Sequence, residues 1–162
     1  MAHLRAQTSN MKFLLNGGLL LGTVDGANVE LGEAAGEENC FFFGVLEPDV
    51  RELRLRHQAG QAQYAPQLLE VVDALRSGQF SAGEGDLFEP LLSTIFNGDH
   101  YLISDDFLSY LEAQKMIDAA FVDKSSWVEK CINTTSKMGR FSSDRAVQQY
   151  AEEIWNIEPV AV

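Results

Sequence analysis

Apolar residues fall into two textures along the chain. In the first third they come as short runs closed by glycine. Leu19-Leu20-Leu21-Gly22-Thr23-Val24 and Cys40-Phe41-Phe42-Phe43-Gly44-Val45 are such runs, and each predicts a buried strand. Asp25-Gly26 marks a turn after the first run, and Ala27-Asn28-Val29-Glu30-Leu31 opens a helix through the Glu33–Glu38 region. Ahead of both, Thr8-Ser9-Asn10 predicts a helix N-terminus leading into Met11, Phe13, Leu14 and Leu15. Gly17-Gly18 stops that helix, as glycine does after a last turn. Two buried strands about a helix length apart predict a parallel pair with a crossover helix.

After Pro48 the apolar spacing becomes helical. Asp49 to His57 reads as a helix. Pro66 to Leu75 carries Leu68, Leu69, Val72 and Leu75 on one stripe, closed by Gly78. Leu87, Leu91, Leu92, Ile95 and Phe96 form a second face. Asp105-Asp106 predicts the cap of a helix holding Phe107, Leu108, Leu111, Ile117 and Phe121. Trp127, Val128, Cys131 and Ile132 make a further stripe. Ser142-Ser143-Asp144 precede Val147, Tyr150, Ala151, Ile154 and Trp155, with Pro159 past the end. Two strands followed by helices from residue 45 onward indicate an α/β domain. A three-layer domain needs more strands than these, so the chain reads as a piece of a larger one.

Length and charge narrow the partners. The chain has 162 residues, enough for one domain with a core, and 46% are hydrophobic against 22% charged. Twelve Lys+Arg against 24 Asp+Glu give a formal net charge of −12, which argues against nucleic acid or an anionic membrane as a partner. Cys40 and Cys131 show no CxxC spacing, so a reducing compartment and two small core residues are expected. No signal-peptide core, membrane-length apolar run or internal repeat is present. His3, His57 and His100 are scattered without metal spacing, and all three read as surface, with no metal expected. No glycine-rich nucleotide fingerprint occurs. Ala82-Gly83-Glu84-Gly85 reads as a loop, Glu37-Glu38 as a solvated or capping pair, and Trp127 and Trp155 as core.

One segment carries candidate chemistry. A helix opening at Thr8-Ser9 would present unpaired backbone N–H groups and the positive end of the helix dipole, which favour a phosphate. Lys12 follows one turn later, and helical side chains lean toward the N-terminus. Its amine could therefore form a Schiff base with a phosphorylated aldehyde held on those amides. Asp25, Asn28 and Glu30 follow a strand end, where α/β sheets place ligand contacts, although as bare residues they also suit a turn and a helix start.

Thr8-Ser9-Asn10-Met11-Lys12-Phe13 with Asn16-Gly17, then Gly22-Thr23-Val24-Asp25-Gly26-Ala27-Asn28-Val29-Glu30, Gly36-Glu37-Glu38-Asn39 and Phe43-Gly44, resembles the cofactor segment of α-glucan (glycogen or starch) phosphorylases. Phe141-Ser142-Ser143-Asp144-Arg145, Tyr150-Ala151 and Ile154-Trp155-Asn156 are similar to the closing helix of that family. The resemblance implies the C-terminal part of the Rossmann-like, cofactor-binding domain of a glycosyltransferase type B fold, over residues 8–162. It implies phosphorolysis of the terminal α-1,4-linked glucose to glucose 1-phosphate. Pyridoxal 5′-phosphate would sit on Lys12, its phosphate would do the proton work, and Thr8 and Ser9 would help hold it. Asp25, Asn28 and Glu30 would belong to the active-site wall. The glucan and inorganic phosphate would be partners of the full-length enzyme, a homodimer by family, in the cytoplasm or a plastid.

The likeness stops before Thr8. The family pattern there is Glu-Ala-Ser-Gly, and here the places hold Leu4-Arg5-Ala6-Gln7. Residues 1–7 therefore read as an atypical segment. The glucan-binding domain and the residues that hold substrate phosphate lie upstream in the family. The chain alone is expected to be inactive and to bind pyridoxal phosphate weakly. The alternative is a non-catalytic module derived from a phosphorylase, binding the cofactor or a protein partner.

Overall fold

In the computed structural model, which describes residues 3–158 and side chains from residue 9 onward, helix α1 runs His3–Leu15. This corrects the expected start at Thr8. Leu4, Arg5, Ala6 and Gln7 are all good helix formers, with no glycine or proline among them, so the helix extends through them. Its end is where the glycines place it. Gly17 takes φ +84°, Gly18 N–H donates to the Phe13 carbonyl at 2.8 Å, and Asn16 Nδ2 donates to the Lys12 carbonyl at 2.7 Å. Strand β1 (Leu20–Thr23), helix α2 (Ala27–Ala35), a 3₁₀ turn (Glu37–Asn39) and strand β2 (Cys40–Phe43) follow. The two strands pair in parallel, so the described residues hold a two-stranded sheet and are otherwise mostly helical.

The remaining helices are α3 (Glu47–Gln58), α4 (Pro66–Arg76), α5 (Glu89–Phe96), α6 (Ile103–Val122), α7 (Lys124–Lys137) and α8 (Ser143–Gln149), the last continuing into a π-helical turn, Tyr150–Trp155. Proline opens α3, α4 and α5, where its missing N–H has no helical partner to lose. Asp123 caps α7 and Ser142 caps α8. Pro159 lies outside the described residues. Among those described, no helix is long and apolar enough to cross a membrane.

The chain divides into two compact units. One comprises Met1–Leu21, Gly26–Phe41 and Ala119–Val162; the other comprises Gly22–Asp25 and Phe42–Asp118. In the first, Leu14, Leu20, Leu31, Ala35, Phe41 and Met138 are buried. Trp127 is half-buried, stacked on Phe41 with ring centroids 6.3 Å apart and edge-on to Phe121 at 5.1 Å. Helix α7 also holds the end of α2. Lys137 Nζ donates to the Ala35 carbonyl at 3.0 Å and Lys130 Nζ to the Glu38 carbonyl, placing cations at a helix C-terminus. Cys40 is buried as expected. Burial, then the fields of Glu38 and Glu37, push its thiol up to about 11.

In the second unit Leu68, Val72, Leu92, Ile95, Leu102 and Ala113 form the core. Three expectations change here. Helix α6 begins at Ile103, before Asp105-Asp106, because buried Asp99 reaches forward to its first amides. His57 is buried rather than on the surface. The apolar stripes are only partly covered: Leu87, Leu91 and Leu108 are at least half exposed. The first unit shows the same. Phe121, Val128, Ile132 and Trp155 are more than half exposed, so Trp155 is not core. Val147, Tyr150 and Ile154 of the closing stripe are exposed as well.

Candidate functional site

Lys12 lies in the last turn of α1 with its side chain exposed, and among the described residues it takes part in no ion pair. Two residues earlier, Asn10 Nδ2 donates to Asn28 Oδ1 at 2.8 Å. Asn28 is buried near the start of α2. This bond joins the segment holding the candidate lysine to the segment holding Asn28 and Glu30. The sequence marks Asn10 only as part of a helix-start signal; its partner is 18 residues away, and no local pattern announces the pair. Glu30 is exposed in the first turn of α2. Asp25 is exposed, accepts from Thr23 Oγ1 at 3.1 Å, and belongs to the other unit.

The backbone amides of Thr8 and Ser9 are interior to α1, where each N–H is directed at the carbonyl four residues back. The side chain of Thr8 lies outside the described residues. An exposed primary amine on a helix anchored by Asn10 fits a tether for an aldehyde. The amides beside it, spent on the helix, do not fit a phosphate cradle in this chain. A glycine at position 7, as in the family pattern, would let the helix begin later and release them. Gln7 favours its continuation.

The end of β2 is built differently. Gly44 N–H donates to Ser109 Oγ at 2.9 Å and Val45 N–H to Asp106 Oδ1 at 2.7 Å, so two successive amides are held by α6. Burial raises the Asp106 carboxyl above its ordinary range, the Val45 amide pulls it back, and Asp105, Asp99 and Asp25 push it up again. An open depression of about 420 Å³ beside Gly44 and Val45 is walled by Asp49, Glu52 and Arg56. Two carboxylates against one guanidinium make it a poor seat for a phosphate.

The family model for carbohydrate phosphorylase matches residues 3–157. Glycogen phosphorylase of Saccharomyces cerevisiae is 46% identical over 155 residues, covering 94% of this chain and 17% of the relative. The α-glucan phosphorylase H isozyme of Solanum tuberosum is 44% identical, covering 93% of this chain and 18% of the relative. The muscle form of human glycogen phosphorylase is 42% identical, covering 94% and 18%. This chain thus spans less than a fifth of the length of these relatives. With the match running from the helix that carries Lys12 to the turn beyond α8, the chain belongs to the carbohydrate phosphorylase family.

Proposed function

We propose that this chain is the cofactor-anchoring part of an α-1,4-glucan phosphorylase, with Lys12 as the residue that tethers pyridoxal 5′-phosphate. The observation that carries the reading is the Asn10–Asn28 bond, which joins the Thr-Ser-Asn-Met-Lys and Asp-Gly-Ala-Asn-Val-Glu segments beside an exposed Lys12. Residues 8–162 are the C-terminal part of the Rossmann-like domain of a glycosyltransferase type B fold, which agrees with a parallel strand pair and a helical remainder. In the whole protein Thr8 and Ser9 would hold the cofactor phosphate only if α1 began at Thr8 and freed their amides; Asp25, Asn28 and Glu30 would line the active site. The glucan and inorganic phosphate are the substrates, and the whole protein is a cytoplasmic or plastid homodimer. What this chain's residues contribute is anchoring and orientation: Asn10 and Asn28 fix the helix, and Lys12 presents its amine.

The test joins this segment to the remainder of a family chain and measures glucose 1-phosphate released from glycogen and inorganic phosphate. Release that disappears with Lys12→Ala supports the proposal. Full release from the Lys12→Ala protein overturns it. A second reading, a non-catalytic module, is favoured for the chain alone by the uninterrupted helix through Thr8 and Ser9. It predicts no release from the joined protein either, whereas the first reading predicts none only from the isolated chain.

A further inference from the structure

Two helices of the second unit bring together residues that the reaction does not use. His57 comes from α3, Asp105 from the first turn of α6, and Asp99 from the turn just ahead of α6. One nitrogen of His57 and one oxygen from each carboxylate lie within 4.8 Å of one another. We propose that this cluster is a binding site for a divalent transition-metal ion of the zinc type.

Charge is the first argument. Among the described residues the ion pairs made by Lys or Arg are Arg76–Glu89 and Lys115–Glu112, so neither Asp99 nor Asp105 has one. Asp99 is 1% exposed, and the His57 side chain is 2% exposed. Even a protonated imidazole offsets one of the two carboxylates. A dication offsets both, in surroundings where an uncompensated charge is costly.

Hydrogen bonding is the second, independent argument. His57 Nε2 lies 2.6 Å from Asp105 Oδ2, while Nδ1 is buried without a partner among the described residues. The protein's own hydrogen bonds leave one ring nitrogen unused, in a ring that water does not reach. Asp99 is fixed by its own partners. Its Oδ1 accepts from Ile103 N–H at 2.9 Å, and Oδ2 accepts from Ser104 N–H at 2.7 Å and Ser104 Oγ at 2.6 Å. These bonds start α6, and they also orient the carboxylate as outer partners orient a metal ligand. Oδ1 keeps a lone pair. Asp105 is 21% exposed, which leaves a way in for the ion and for a water as fourth ligand. An imidazole with two carboxylates selects zinc, cobalt or nickel over calcium or magnesium, which prefer oxygen alone. The ion would clip α3 to α6.

The experiment titrates the chelator-washed chain with Zn(II) by calorimetry and with Co(II) by visible absorption. One ion should bind per chain with a Kd of about 1 μM or tighter, and Co(II) should give four- or five-coordinate bands. Asp105→Asn should weaken binding at least tenfold while α6 persists by circular dichroism, and His57→Gln should do the same. His100→Ala, which alters an exposed imidazole, should leave affinity unchanged. Absence of one-to-one binding, binding that survives both variants, or binding that follows His100 would each overturn the assignment. If His57→Gln fails to fold, the Asp105→Asn titration decides alone.

Discussion

Gly44→Ala tests how the end of β2 is held. The residue has φ +91°, and a Cβ built there would lie 2.9 Å from both Asp106 Oδ1 and Thr23 Cγ2. A non-glycine residue in that conformation costs about 1–3 kcal/mol. Asp106 would also have to retreat from a methyl group while accepting the Val45 amide at 2.7 Å. Weakening that charge-assisted bond costs a further ~1.5–3 kcal/mol. Together the loss is about 3–5 kcal/mol, since relaxation recovers part of each. At about 2–4 °C per kcal/mol, Tm falls by roughly 6–20 °C. Gly60 supplies the control. It has φ +72° with nothing within 4 Å of a built Cβ, so Gly60→Ala loses only backbone strain. Urea unfolding followed by circular dichroism should move the midpoint far more for Gly44→Ala than for Gly60→Ala, at unchanged slope. Equal shifts for the two variants would refute the crowding argument.

Thr134 is fully buried and its Oγ1 has no hydrogen-bond partner among the described residues, so Thr134→Val should stabilise the chain by about 1–2 kcal/mol, read as a higher urea midpoint. A lower midpoint would show that the hydroxyl has a partner after all. Cys40, its thiol pushed up to about 11 by burial and the neighbouring glutamates, should react with a disulfide reagent at pH ~8 about a hundredfold more slowly than an ordinary thiol. Half-buried Cys131 should be labelled first. The sign for stability follows from the same shift. The folded state holds the Cys40 proton more tightly than the unfolded state, whose thiol has the ordinary value of 9.0. Its contribution is therefore complete below about pH 9 and is lost as pH rises toward about 11, which a Cys40→Ala comparison across that window would reveal.

Much of the secondary structure was legible because it rests on local rules. Gly17-Gly18 ends α1, the two glycine-bounded runs become β1 and β2, and Ser142 opens α8. The errors arise where distant residues decide. Asp105-Asp106 looked like the cap of α6, but Leu102 takes φ +56° and Asp99 caps from further back. His57 was read as surface because its partner Asp105 is 48 residues away. The start of α1 depends on Gln7, whose place in the family pattern belongs to a glycine; local propensity carried the helix through it. The stripes on α6, α7 and the π-helical turn have the right period yet remain only partly covered, since a pattern specifies a face and not the surface that covers it. At the site, the lysine motif was legible as a resemblance. The Asn10–Asn28 bond that steadies it needed coordinates.

The role of Lys12 has a direct chemical test. The chain is mixed with pyridoxal 5′-phosphate, the imine is reduced with borohydride, and the pyridoxyl group is located by peptide mass. Modification concentrated on Lys12, over Lys115, Lys124, Lys130 and Lys137, with the imine absorbance lost in Lys12→Ala, is the expected outcome. Labelling spread evenly over the five lysines, or an unchanged spectrum in the variant, would contradict it.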